Sequence, residues 1–416
     1  MPVSSHDRDV IRRLAQRQAQ IAALPCHRRT IDLWRRMNDL QPVKPMVWIN
    51  EICWHEFRFE PELALHCEDD FARNVEQELR RTIWQWEKMP SDWVVEPVYY
   101  VSPAVRDSGL GIKEEADIVR TDAASDVVSR HYHLQIQCEK DLEKIKTPVL
   151  THDQAATDQR VERTRELVGE SLRVELRNRA VAWFAPWDEL IRWWGVEEAM
   201  TDMADRPELV RAAMDRLVGA YLARLDQLQE LNLLTLNNNN QRIGSGGLGY
   251  CDDLPGPDFD ARRVRTHNLW GNATAQIFSE ISPAMHEEFA LQFERRWLRR
   301  FGLTYYGCCE PLHLKLDILK SVPNLRKVSM SPKADLDKAV AQIGRRYVLS
   351  HKPNPAVFAG DAWHPEEARR QLRAALDKMR GCCVEVIMKD ISTVRYEPRR
   401  LCEWAKIAGE VTAEYA

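Results

Sequence analysis

No apolar run in these 416 residues reaches the roughly 18–20 residues that a membrane-crossing helix needs. The first thirteen residues are polar and charged, where a secretory leader would carry an apolar core. The expected compartment is therefore the cytoplasm. A large excess of either sign of charge is missing too: 59 Lys and Arg stand against 63 Asp and Glu, for a net charge of −4. The two signs are interspersed, which gives no electrostatic footprint for nucleic acid or an anionic membrane. There is no repeat of fixed period and no low-complexity tract. The run Gly244-Ser-Gly-Gly-Leu-Gly249 lacks the Lys-Ser/Thr of a P-loop and the spacing of a dinucleotide fingerprint, so it reads as a flexible loop. The ten cysteines are scattered apart from the pairs Cys308-Cys309 and Cys382-Cys383. In a reducing compartment such residues are core fillers or metal ligands.

The apolar content of 44% is enough for a large core. Residues 8–40 read as helix, through Ile11, Leu14, Ile21, Leu33 and Met37, with Pro42 and Pro45 ending it. Short β-rich runs follow at Met46–Ile49, Val94–Val101, Val174–Phe184, Leu231–Leu236, Leu303–Tyr306, Lys327–Met330, Tyr347–Leu349 and Val384–Met388, with a weaker one at His267–Trp270. Helical patterns separate them at Pro207–Leu228, Pro283–Phe301, Lys333–Ile343 and Pro365–Met379, three of which start on a proline suited to a first turn. Strand and helix alternating in this way, with near eight strands, predict a (β/α)8 TIM barrel. The expected organisation is a helical extension over residues 1–44 and a barrel over 45–416. The irregular stretch 102–172 is read as an insertion.

Reactive side chains of such barrels sit at the C-terminal ends of the strands. Position alone thus nominates Asn50 and Glu51, the amide run at Asn237–Asn240, Trp270 and Gly271, Cys308, Cys309 and Glu310, Ser331, His351 and Lys352, and Lys389 and Asp390. Two thiols beside a carboxylate suit zinc with an open coordination position, and they equally suit simple core filling. His351 and Asp390 are candidates for acid/base work, and Lys352 for an anion contact. Glu51, Asn237 and Asn239 would hold a polar substrate through hydrogen bonds. Cys382-Cys383 precede a strand and are read as structural, and the side chains of His131-Tyr132-His133 as facing solvent.

Several stretches resemble the uroporphyrinogen-decarboxylase-like superfamily, over most of the chain after about residue 40. Ala185-Pro-Trp-Asp-Glu-Leu and Arg206-Pro-Glu-Leu-Val resemble its helical segment after the third strand, and Ile281-Ser-Pro-Ala-Met-His-Glu-Glu-Phe its Ser-Pro helix start. The opening, Leu33-Trp-Arg-Arg-Met-Asn-Asp39 and then Pro45-Met-Val47, is similar to one subgroup. Tyr306-Gly-Cys-Cys-Glu310 occupies the place of the His-x-Cys-Gly zinc motif of the corrinoid-linked methyltransferases in that superfamily. The resemblance puts Cys308 on the zinc-binding cysteine, Tyr306 on the histidine ligand and Cys309 on the glycine. Where those methyltransferases have a second cysteine, this chain has Lys389-Asp390-Ile391-Ser392. The decarboxylase's Arg-Gln-Ala-Gly-Arg signature is absent, which argues against uroporphyrinogen as substrate.

What the resemblance implies is methyl transfer between a small methylated substrate or thiol and a cobalamin. No Asp-x-His-x-x-Gly corrinoid motif occurs in the chain, so the corrinoid would ride on a separate protein. Zinc would be held by Cys308, Cys309 and Glu310. Glu310, His351, Lys352 and Asp390 would be catalytic, and Glu51, Asn237, Asn239 and Tyr306 would bind substrate. A homodimer through the N-terminal helix fits this reading. Two alternatives stand beside it. One is a lyase or decarboxylase of a small organic acid, gripping carboxylates with Lys352, Lys389 and Arg395 or attacking through Cys308. The other is a ligand-binding barrel without turnover.

Overall fold

The computed structural model describes residues 3–120, 128–178, 181 and 183–416. Its strands, in chain order, are β1 (Met46–Ile49), β2 (Val98–Val101), β3 (Val105–Asp107), β4 (Ala116–Val119), β5 (Ser129–Tyr132), β6 (Leu150–His152), β7 (Arg173–Leu176), β8 (Trp270–Ala273), β9 (Leu303–Tyr306), β10 (Leu325–Met330), β11 (Val348–His351) and β12 (Cys383–Met388). The chain divides into two compact units: residues 1–104, 153–177 and 352–416 form the first, and 105–152 and 178–351 the second.

In the first unit β1 pairs parallel with β12, from Met46 opposite Glu385 to Ile49 opposite Met388, and β2 pairs parallel with β7. The sequence pattern of one helix over 8–40 resolves into two, Ser5–Ala22 and Cys26–Asn38. Pro25 lies at the break: its ring removes an N–H and clashes with the turn before it, which an unbroken helix does not tolerate. Val10, Ile11 and Ala15 on one stripe of the first helix pack with Val75 and Leu79 of helix Asp70–Lys88 and with Leu167 and Val168. Burying each of the larger side chains contributes about 1.5–3 kcal/mol at most. Asp7, 1% exposed, ties this layer together by accepting from the backbone N–H groups of Glu68 and Asp69, both at 3.0 Å.

In the second unit β8, β9, β10 and β11 form a continuous parallel ladder in that order. Strands β8, β9 and β11 are buried along their whole length, and β10 is buried from Lys327 onward. They are covered on both faces, as parallel sheets require. Helices Pro186–Trp194, Val196–Asp205, Pro207–Glu230 and Leu336–Ile343 belong to this unit. Residues 283–298 form one helix with a π turn, Glu287–Leu291, between two α-helical ends. The stretch 102–172 contains two small antiparallel ribbons, β3 with β6 and β4 with β5, and helix Gln154–Val168. His131 sits on the exposed β5, and His133 just after it meets Asp117 at 3.1 Å.

Two expected strands change. Of Val174–Phe184 only the part to Leu176 is strand, and residues 179, 180 and 182 lie outside the described residues. Leu231–Leu236 carries no strand assignment. Its neighbour Asn237 supplies the reason: the side-chain amide accepts from Trp270 N and donates to Trp270 O, both at 2.9 Å. A carboxamide here does the work that a backbone ladder would do. The parallel ladders and their helices make this an α/β fold, in keeping with a TIM-barrel-like architecture. No helix among the described residues is long and apolar enough to cross a membrane.

The double clamp predicts that Asn237→Ala strands two buried main-chain groups at the start of β8. The expected cost is about 2–3 kcal/mol, read as a fall in the midpoint of denaturant unfolding. Unchanged stability would show that Asn237 is not a structural clamp.

Candidate active site

Strand β9 reads Leu-Thr-Tyr-Tyr and ends in a loop that nothing but glycine can open. Gly307 has φ +100°, and a Cβ there would stand 2.3 Å from Leu312 Cδ1. The chain then turns through Cys308, which is 3% exposed, to Cys309, which is exposed. Their sulfurs are 3.5 Å apart. Serine hydroxyls hold the carbonyls of this loop: Ser245 donates to Gly307 O at 3.0 Å and Ser329 to Cys308 O at 2.7 Å. Glu310 has no exposed surface. One of its oxygens accepts from Thr274 Oγ1 (2.9 Å) and Ala275 N (3.2 Å), and the other from Cys308 N (2.8 Å). It thereby fastens the end of β8 to the end of β9.

A second network is buried against Tyr306. The phenol contacts His286 Nε2 and donates to Glu294 Oε2, each at 2.6 Å, and all three side chains have no exposed surface. His286 and Glu294 are eight residues apart, which at about 100° per residue sets them about 80° apart around an unbroken α-helix. The wider π turn between them absorbs this difference, and both reach the same hydroxyl. π turns of this kind recur at functional sites. Burial raises the Glu294 carboxyl to about 8, and Glu310 nearby adds to the effect. Burial and the Lys315 ammonium lower His286 to about 3. The network is therefore neutral at neutral pH, a carboxylic acid and an uncharged imidazole. Among the described residues Glu294 Oε1 and His286 Nδ1 have no hydrogen-bond partner.

Three further groups border the strand ends. Lys315, 1% exposed, donates to Phe278 O, and burial lowers its ammonium to about 8. Asp188, in the first turn of helix Pro186–Trp194, accepts from Gln276 Nε2 at 2.7 Å. Burial raises its carboxyl to about 6, with Glu310 contributing. Ser331, at the end of β10, is 2% exposed and its hydroxyl has no partner among the described residues.

The structure brings together Tyr306, Cys308, Cys309 and Glu310 of the residues singled out in the sequence. His351 ends β11 and is 7% exposed, and Lys352 after it is 3% exposed. Asn237 is engaged with Trp270, and Asn239 donates to Leu236 O at 3.0 Å. Glu51, Lys389 and Asp390 meet at the ends of β1 and β12 in the first unit. Lys389, 4% exposed, lies 2.6 Å from Asp390 Oδ2 and 3.3 Å from Glu51 Oε2, which also accepts from Asp390 N at 3.2 Å. Burial raises the Asp390 carboxyl against the opposing pull of Lys389. Glu51 and Asp390 both have positive φ, +51° and +56°, as do Arg395 (+59°) and Tyr396 (+56°) in the loop after β12. Such backbone costs about 1–3 kcal/mol per residue and clusters where function holds it.

Zinc would need three protein donors and an open position. Cys308 and Cys309 offer two sulfurs, but both Glu310 oxygens are turned to a hydroxyl and two amides. Among the described residues no group of three His, Cys, Asp or Glu has the geometry to hold a metal ion. The expected Cys308–Cys309–Glu310 set therefore does not fit a closed three-ligand zinc site. Asp188, His286, Glu294 and Lys315 escaped the sequence reading because none follows a strand directly. Asp188 and His286 carried a signal, lying in the Pro186-Trp-Asp-Glu and Ser282-Pro-Ala-Met-His segments.

No family model and no curated protein matches the chain. A solved structure does: a methyltransferase from Methanosarcina mazei superposes with a TM-score of 0.52 at 13% identity, over 93% of this chain and 98% of that one. At this identity the likeness is one of fold.

The buried acid makes a pH-dependent prediction. An unfolded Glu294 loses its proton near 4.5 and the folded one near 8. Between these values the unfolded state alone is ionised, so wild-type stability falls as pH rises, by about 1.4 kcal/mol per pH unit. Glu294→Gln stays neutral and is expected to gain on wild type from pH 5 to 8 in parallel thermal melts. A constant difference across that window would mean that Glu294 ionises normally.

Proposed function

We propose that the chain is a methyltransferase acting on a small methylated substrate, with its reaction centre at the C-terminal ends of β8–β11. One observation carries the reading: a buried thiol, Cys308, is fixed by main-chain bonds beside a second thiol at the end of a parallel strand, where barrel chemistry is placed. The fold shared with a methyltransferase supports it. Cys308 is the group nearest the transferred methyl, and Asp188, part-protonated near neutral pH, donates the proton to the departing heteroatom. Glu310 is a positioning residue that sets the direction of Cys308. In this reading the barrel closes as eight strands, the other methyl carrier is a corrinoid on a separate protein, and His351 and Ser331 line the substrate's place. Zinc enters only if substrate or partner completes the two-sulfur set.

The lyase alternative loses ground on geometry. Lys389 is engaged with Glu51 and Asp390, and Arg395 lies 3.1 Å from Asp361, so neither is presented to a substrate carboxylate.

The test supplies methylated amines, ethers and thioethers with reduced cobalamin and follows methylcobalamin by absorbance. Cys308→Ala is expected to lower the rate about 100-fold or more, and Asp188→Asn about 10²–10⁴-fold with loss of the dependence on a group near pH 6. Full activity in Cys308→Ala would remove the proposal. Elemental analysis of the same preparation is expected to show well under one zinc per chain. A full zinc equivalent, lost in Cys308→Ser, would restore the metal mechanism.

A further inference from the structure

We infer that Cys308 and Cys309 form an oxidant-accepting site that closes, by two-electron oxidation, into a disulfide between neighbouring residues. The sulfurs are already 3.5 Å apart, in a loop whose main chain is held at Cys308 N by Glu310 and at Cys308 O by Ser329. Cys309 is exposed and meets the oxidant, and Cys308 is buried directly behind it as the resolving thiol. The oxidant class is a hydroperoxide. The Cys309 sulfur attacks the peroxide O–O bond, becomes a sulfenic acid and releases an alcohol, or water from hydrogen peroxide. The Cys308 sulfur then attacks the sulfenic sulfur, the S–S bond forms, and water leaves. Two thiols are oxidised and one peroxide is reduced, and every atom is accounted for.

Five of the other cysteines are built differently. Burial pushes the thiols of Cys53 and Cys67 up to about 12 and that of Cys402 to about 11, which keeps them protonated and inert. Cys382 and Cys383 are also neighbours. Cys383, however, is the first residue of β12, 1% exposed, with its thiol against Gln41 O at 3.6 Å. Residues that enter a strand point alternately to its two faces.

The bond would be weak by construction. Neighbouring Cα atoms are about 3.8 Å apart, short of the 4.4–6.8 Å that disulfides usually span. Strain of this kind makes a disulfide easy to reduce. The site is therefore reversible: small thiols reopen it, and Glu310 keeps the loop in place throughout. In the closed form Cys308 has no thiol to offer to any chemistry at this strand end. The inference stands on the loop geometry and holds for a methyltransferase or for any other thiol-dependent activity.

The experiment uses the full-length protein and hydrogen peroxide at one to a few equivalents, followed by alkylation under denaturing conditions and peptide mass spectrometry. The expected result is a peptide containing Cys308 and Cys309 that has lost two hydrogens, takes up no alkylating agent, and regains two alkylation sites after dithiothreitol. Cys309→Ser and Cys308→Ser are expected to abolish that species, and Cys382→Ser to leave it unchanged. Alkylation of both cysteines after oxidation, or faster closure of Cys382-Cys383, would overturn the inference. So would sulfinic acid at Cys309 with no loss of two hydrogens. The wild-type measurement alone decides, whatever the folding of the variants, and its mass readout is independent of any activity assay.

Discussion

A carboxylate without exposed surface must find its donors in the protein, and the donors of Glu310 come from the ends of two neighbouring strands. Thr274 and Ala275 belong to the turn out of β8, and Cys308 to the turn out of β9. The direction of the thiol pair follows from this one anchor, because the amide of Cys308 is one of its three contacts. Metal ligation and loop structure therefore compete for the same oxygens. Turning Glu310 toward a cation would leave a hydroxyl and two amides unpaired in the interior, at about 1–3 kcal/mol each.

The same interior sorts its ionisable groups by how much water they keep. Glu294 and His286 have none, and both are neutral for that reason, joined through one phenol. Glu51 and Asp390 keep part of their surface in solvent, and they retain a lysine between them. The first arrangement stores a proton where no charge is tolerated. The second sets a lysine between two carboxyl groups at a strand end, where the backbone of Glu51 and Asp390 has positive φ.

The α/β class and the parallel strand direction were legible because buried strands read as short apolar runs bounded by helix starts, as at Leu303–Tyr306 before Gly307-Cys308 and at Val384–Met388. Cys308, Cys309 and Glu310 were legible because the rule about strand ends needs only sequence position. What lay hidden depends on partners distant in the chain. Nothing in the composition of Leu231–Leu236 shows that Asn237 would serve the backbone of Trp270 with its side chain. Pro25 was visible, but the apolar spacing on either side of it continues in phase and conceals the break. Glu294 and His286 read as ordinary members of a charged helix, because their common target, Tyr306, belongs to the next strand.

The π turn at Glu287–Leu291 amounts to one residue more than a regular helix would use between His286 and Glu294. That residue fixes the phase of everything after it. A homologous chain one residue shorter in this stretch could wind an uninterrupted α-helix with equal apolar burial, and its acid, now seven residues from the histidine and within about 20° of it around the axis, would still face the tyrosine. A gap of one position between the Ser-Pro helix start and the following strand would thus leave this proton-storing arrangement in place, whereas an unbroken helix of the same length would share only the scaffold.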